Sequence, residues 1–237
     1  MNQQLLQEHL DKNPFAKLGD VVADLLFDEI VSLNLIPATK LNINNISKEL
    51  GISRTPVTEA INKLVSIGFV EVRPNASGYY VSPLTISELI ELYNARAALE
   101  SEAAYLCAET ASLELIDLLE NYAADFKRAF QNRDKEALKA VELPFHKIII
   151  ENCGNKYLME CYNQLLPALT RYQNYYTEFI DTAKANPWSD KIVHQHCAIV
   201  SAIRMHMPDL ARSLMNEHIR SAIGQAAFSY DNPIPLR

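Results

Sequence analysis

Glu142 and His146 stand four residues apart in a stretch of helical periodicity, so both side chains leave one helix face about 6 Å apart along its axis. His196 and His218 lie eleven residues to either side of Met207. In an antiparallel helical hairpin turning at Met207-Pro208, that symmetry sets the two imidazoles at one level, roughly 16 Å from the turn, where they can face each other. A carboxylate and three imidazoles converging inside a helical bundle suit a divalent transition metal. Zinc comes first, with nickel, manganese or iron as alternatives, since imidazole favours the later metals and the carboxylate compensates charge. The competing account makes each histidine a hydrogen-bonded core residue, and spacing alone leaves both accounts open. His194 points nearly to the opposite side of its helix from His196, and His9 and His206 read as surface residues.

A second group of residues has the chemistry of a nucleic-acid reader. Within Ile46–Ser82, a short helix with Ile46 and Leu50 inward stops at Gly51, which can take the left-handed conformation that ends a helix. Ser53 stands at the next N-cap, and Pro56 is tolerated in the first turn, where N–H groups have no intrahelical partner. Val57, Ile61, Leu64 and Val65 recur at helical spacing and face the core. Arg54, Thr55, Thr58 and Asn62 are left outside, a forked cation and short polar groups able to meet base edges or phosphates in a major groove. Residues 69–73 and 79–82 read as the two strands of a wing, with Gly78 at a tip that can approach the sugar-phosphate wall.

The remaining elements position these two groups. Leu18, Val21, Val22, Leu25, Leu26, Ile30 and Leu33 form an apolar stripe predicting a helix that ends near Pro37, preceded by a loose tail over the first dozen residues. From Thr85 the pattern is helical to about Tyr230, with helices expected near 85–109, 112–131, 134–152, 155–182, 187–206 and 208–230. The expected architecture is mainly α: a winged helix-turn-helix over 1–84 including the tail, then an all-α helical bundle over 85–237.

A length of 237 residues with 49% apolar composition supports a sizeable core in one or two domains. The net charge of −7 argues against a protein that coats nucleic acid nonspecifically, but not against a local reader. No apolar run reaches the ~18 residues needed to span a bilayer, and the start lacks a basic segment followed by an apolar one, so a cytoplasmic protein without a membrane partner is expected. Cys107, Cys153, Cys161 and Cys197 lack paired-ligand spacing and read as buried, reduced thiols.

The segment Leu50-Gly51-Ile52-Ser53-Arg54-Thr55-Pro56-Val57, with Glu59-Ala60 and Leu64, resembles the winged helix-turn-helix of the GntR family of bacterial transcription regulators. Arg96 with Leu99-Glu100, Phe145-His146, Gln195-His196 and Met215–His218 resemble the all-helical (FCD) effector domain of its FadR-type subgroup. The resemblance implies a homodimer that binds palindromic double-stranded operator DNA under the control of a small effector. It places DNA contacts on Arg54, Thr55, Thr58 and Gly78, and metal ligands on Glu142, His146, His196 and His218. Glu142 stands where most members have aspartate, and Thr58 and Ser77 stand where many have basic residues.

Relatives of this kind sense small organic acids, so the expected effector is a small carboxylate completing the metal's coordination while a cation holds its other end. Arg96 is the candidate anchor and Arg171, in a tyrosine-rich helix, the second; an ordinary ion pair is the alternative for both. Two rival classes stand beside this one. A metal-dependent hydrolase would need a general base and substrate-orienting groups that the sequence does not offer. A DNA-binding dimer whose metal only staples helices would need none.

Overall fold

A computed structural model describes residues 2–73, 77–179 and 189–230 of the chain. The chain divides into two units, with the division between Leu84 and Thr85.

The first unit holds α1 (Gln3–Lys12), α2 (Leu18–Val31), β1 (Lys40–Leu41), α3 (Ile43–Leu50), α4 (Arg54–Ser66), β2 (Val70–Val72) and β3 (Tyr79–Val81). Its core forms where Val22, Leu25, Leu26 and Ile30 of α2 meet Ile46 and Leu50 of α3, Val57, Ile61 and Leu64 of α4, and Val70 and Val81 of the sheet. Each such side chain contributes about 1.5–3 kcal/mol by leaving water. The α3–α4 turn is made by Gly51 at φ +69°, a backbone conformation that a side chain disfavours. Ser53 holds the N-cap position of α4, although its side chain makes no capping hydrogen bond.

Asn42 is the better cap. Its Oδ1 accepts from the Asn44 and Asn45 amides at 3.0 and 3.1 Å, satisfying two otherwise orphaned donors of α3. Asn42→Ala is expected to lower the stability of the first unit by about 1 kcal/mol, read as a lower urea midpoint and faster hydrogen exchange at those two amides. Unaltered exchange there would remove the cap from this account.

Four expectations are corrected. The first dozen residues are not a loose tail: Asn2 caps α1, Leu6 is buried, and His9, with Nδ1 on the Leu5 carbonyl of its own helix (2.9 Å), reaches Asp28 of α2 with Nε2 (3.1 Å). So short a helix is marginal alone, and docking decides its formation. His9 is accordingly half-buried rather than a surface residue. The α2 helix stops at Val31, short of Pro37, because Leu33 takes φ +63° and the Ser32 hydroxyl donates to the Asp28 carbonyl at 2.6 Å. The wing's two strands belong to an antiparallel sheet of order β1-β3-β2, with Tyr80 opposite both Lys40 and Glu71.

The second unit is helical throughout its described residues: α5 (Ile86–Thr110), α6 (Leu113–Asn132), α7 (Lys135–Glu151), α8 (Lys156–Phe179), α9 (Ser189–Arg204) and α10 (Pro208–Tyr230). The ends of the expected 155–182 and 187–206 helices fall partly outside the described residues. Thr85, Ser112 and Asp134 cap α5, α6 and α7 by accepting from the backbone of Glu88, Leu115 and Ala137. The α10 helix packs along α5 and α9, while α7 lies against α6 and α8. Pro144 sits inside α7, between Glu142 and His146, and withholds one N–H from the helical ladder there. No helix among the described residues is long and apolar enough to cross a membrane.

Two cysteines also depart from expectation. Cys161 and Cys197 are exposed, whereas Cys107 and Cys153 are buried. Burial pushes the Cys107 thiol up to about 12, and its Sγ donates to the Ile149 carbonyl.

Candidate functional site

Glu142 and His146 on α7, His196 on α9 and His218 on α10 bring one potential ligand atom each to within 4.8 Å of one another. The shorter separations are 3.5 Å from Glu142 Oε1 to His146 Nε2, 3.4 Å from Glu142 Oε2 to His196 Nε2, and 3.3 Å between the Nε2 atoms of His146 and His218. A tetrahedral ion with bonds of about 2.1 Å separates its ligands by about 3.4 Å. These three spacings therefore match the edges of such a coordination sphere. His146 and His196 are 0% exposed and His218 4%, with Phe145 and Phe126 rings packed against His196. The Glu142 side chain is 23% exposed.

The orientation of the imidazoles is set from outside. His196 Nδ1 lies 3.1 Å from the Ile192 carbonyl, to which it must donate, and His218 Nδ1 lies 3.3 Å from Gln195 Oε1. His146 Nδ1 is 2.6 Å from Oε2 of Glu100, a fully buried carboxylate on α5. Each ring thus has an oxygen within 3.3 Å of its Nδ1 and turns Nε2 toward the other ligands. His196 Nε2 and Glu142 Oε2 are buried and make no hydrogen bond. Unsatisfied buried acceptors of this kind are costly, and a shared cation satisfies them together.

The charges within the cluster agree. Burial raises the Glu142 carboxyl, but the adjoining His146 and His196 imidazoles outweigh it and hold Glu142 well below the usual carboxylate range. His218 is held well below the ordinary imidazole range by burial and by the neighbouring His196 and His146. His146 moves the other way: burial opposes its charge, but the Glu100 carboxylate outweighs burial and raises it. A protonated His146 can donate Nε2–H toward the neutral His218 Nε2, 3.3 Å away. An ion takes those same lone pairs. Zinc loading is therefore expected to release protons, and acidification to weaken zinc binding, because protons compete for the ligands. Zinc uptake in weakly buffered solution with no pH change would contradict that protonation pattern.

Arg96 and Arg171 are both buried, at 3% exposure, rather than at the surface. Arg96 Nε donates to Glu100 Oε1 at 2.6 Å, so the arginine stands in an intradomain ion pair, yet its Nη2 is buried and has no hydrogen-bond partner. The Tyr162 hydroxyl on α8 is likewise buried without a partner and feels the charges of Glu100, Arg96 and Glu142. The sequence reading did not single out Tyr162, and a lone tyrosine in a helix carries no signal that would. Arg171 lies on α8 beside Tyr172, whose hydroxyl takes the Thr85 amide at 3.2 Å and lies 2.8 Å from Glu88 Oε2.

In the first unit, Arg54 and Thr55 are exposed at the start of α4, as is Asn62 a little over two turns on. Arg54 Nη1 makes one long contact, 3.5 Å to Asn44 Oδ1. Thr58 is half-buried and its hydroxyl donates to the Arg54 carbonyl at 3.0 Å, while Asn62 Oδ1 accepts from the Tyr79 hydroxyl at 3.3 Å and so ties α4 to the wing. Gly78 has φ +149°, and a Cβ there would come 3.1 Å from Lys40 Cε. Lys63 is engaged by Asp20 and Arg73 by Glu71, which leaves the charge of this face resting more on Arg54.

Residues 18–81 match the family described as bacterial regulatory proteins, gntR family, and residues 91–221 match the FCD domain. The chain is 25% identical over 209 residues to the "Probable D-xylose utilization operon transcriptional repressor" of Paenarthrobacter nicotinovorans, covering 88% of both chains. It is 26% identical over 197 residues to the Nta operon transcriptional regulator of Aminobacter aminovorans, covering 82% of this chain and 88% of that one. Its fold is similar to the solved structure of E. coli McbR/YncC, at a TM-score of 0.68 and 23% identity, covering 91% of this chain and 100% of the other.

Proposed function

This chain belongs to the GntR family of bacterial regulatory proteins with an FCD domain, a DNA-binding transcription regulator and not an enzyme, and we propose that its affinity for operator DNA is controlled by a small carboxylate bound beside a metal. The hydrolase alternative falls with the family. The metal, zinc before nickel, manganese or iron, is held by Glu142, His146, His196 and His218. One observation carries the reading: four potential ligand atoms within 4.8 Å, three of them histidine nitrogens whose rings are fixed from behind. When bound, the ion supplies a Lewis-acidic centre that can accept a carboxylate oxygen in an open position.

The protein's own groups supply the rest. Arg96 is fastened at Nε and presents Nη2, and Tyr162 presents its hydroxyl, two buried donors awaiting an acceptor. An oxygen-rich anion is the ligand class that satisfies both. Arg171 is the second candidate contact. At the other unit, Arg54, Thr55, Thr58, Asn62 and Gly78 are the proposed DNA contacts, with Arg54 leading into the major groove. A reading head of near-neutral charge leans on two-fold symmetry for affinity, so the working form is a homodimer and its operator an inverted repeat.

A ligand alters DNA affinity only by binding two states of the protein differently, and the typical coupling of 1–3 kcal/mol is a roughly 5–150-fold change in operator affinity. The test has two parts. Binding-site selection from random DNA should recover an inverted repeat, and a thermal-shift screen of small carboxylates on zinc-loaded protein should find one that raises Tm and changes affinity for that repeat. A direct repeat, or carboxylates that bind without altering DNA affinity, would overturn the corresponding half of the reading.

A further inference from the structure

We propose that Glu100 is a positioning residue that makes metal occupancy and the setting of Arg96 a single event; this rests on the metal reading above. Glu100 is 0% exposed and spends one carboxylate oxygen on each of two partners: Oε2 lies 2.6 Å from His146 Nδ1, and Oε1 accepts from Arg96 Nε at 2.6 Å. Arg96 stands four residues earlier on α5, one turn back on the same face, while His146 is carried by α7. The carboxylate therefore bridges two helices and two tasks, the orientation of a metal ligand and the orientation of a buried guanidinium.

The outer partners of the other two imidazoles differ. His196 leans on the carbonyl of Ile192 in its own helix, and His218 on the neutral amide of Gln195. Among the three, His146 has the charged support, which both fixes the ring and makes it a stronger electron-pair donor. Burial matters equally. With no water to take over, Glu100 cannot release one partner without leaving charge uncompensated, so a shift of the His146 ring moves the carboxylate and, through it, Arg96. The same pairing holds Arg96 at Nε while Nη2 is left without a hydrogen-bond partner. Arg96 then acts on the metal, which it does not touch, and the metal acts on Arg96.

The experiment is a zinc titration against a chromophoric chelator, on the full chain, for wild type, Glu100→Gln, Arg96→Lys and the double variant. Glu100→Gln is expected to weaken zinc binding 10–100-fold with all four ligands in place, and to move the visible absorption bands of the cobalt-loaded protein, which loss of packing alone would not do. Arg96→Lys should weaken zinc binding severalfold, and the double variant should bind no more weakly than Glu100→Gln, since both act through one carboxylate. Unchanged zinc affinity and cobalt spectrum in folded Glu100→Gln, or strictly additive losses in the double variant, would overturn the proposal. If Glu100→Gln does not fold, Glu100→Asp decides: it keeps the charge but is one methylene too short for both partners, and wild-type zinc affinity in it overturns the proposal equally. Wild type that binds no zinc overturns the metal reading and this inference together, whereas zinc-binding wild type with unaffected variants overturns this inference alone.

Discussion

His196→Ala and His218→Ala are each expected to bring bound zinc well below one per chain and to abolish the stabilisation that zinc gives the wild type. Each removes one ligand of the proposed four and leaves the other three on two helices, unable to close around an ion without it. With zinc about a thousandfold above its dissociation constant, an ion bound only by the folded state contributes about 4 kcal/mol. The loss of the ring also leaves a cavity, at His196 between the Phe126 and Phe145 rings, and that cost is separate. The two are told apart by measuring Tm with zinc and with chelator. The wild type should show a difference and the variants almost none, while Glu142→Asp retains the metal. If protein prepared without chelator contains no first-row transition metal, and added zinc leaves the wild-type Tm where it was, the four residues are a polar core and nothing more.

Arg54→Ala is expected to weaken binding to the selected operator by about 1–3 kcal/mol, roughly 5–150-fold, with the fold intact. The side chain is exposed at the first residue of α4, and its one side-chain hydrogen bond among the described residues is a 3.5 Å approach to Asn44, so little folded-state energy is at stake. The form of the loss identifies the contact. A fork on a guanine edge gives a loss confined to operators carrying that guanine. A phosphate contact gives a uniform loss across sequences, with the salt slope of binding falling by about one. A folded variant with undiminished operator affinity would remove Arg54 from the interface.

Periodicity is legible in a sequence wherever a helix is long and one face is buried. Glu142 and His146 at four-residue spacing share a face of α7, and the Met207-Pro208 turn brings α9 and α10 back along each other, so His196 and His218 arrive side by side with ring centroids 4.5 Å apart. Glu100 could not be placed that way. Its use depends on how α5 lies against α7, which no local spacing encodes, and its i,i+4 relation to Arg96 looks like any solvent-facing ion pair on paper. The α1 helix was illegible for a related reason. Leu5, Leu6 and Leu10 are too few to predict a stable helix, and it exists because Leu6 finds the core between other elements. The two-residue β1 is shorter than any pattern, and its partner β3 lies far along the chain.

The three imidazoles are sealed from solvent, at 4% exposure or less, whereas the Glu142 side chain is 23% exposed. Affinity at equilibrium belongs to all four ligands, but traffic does not. In the proposed site, exchange of a bound ion with solvent would therefore run past Glu142, on a segment of α7 where Pro144 has already taken one rung from the ladder. Glu142, which the family resemblance marks as standing in place of an aspartate, is thus the solvent-facing member of the proposed metal site.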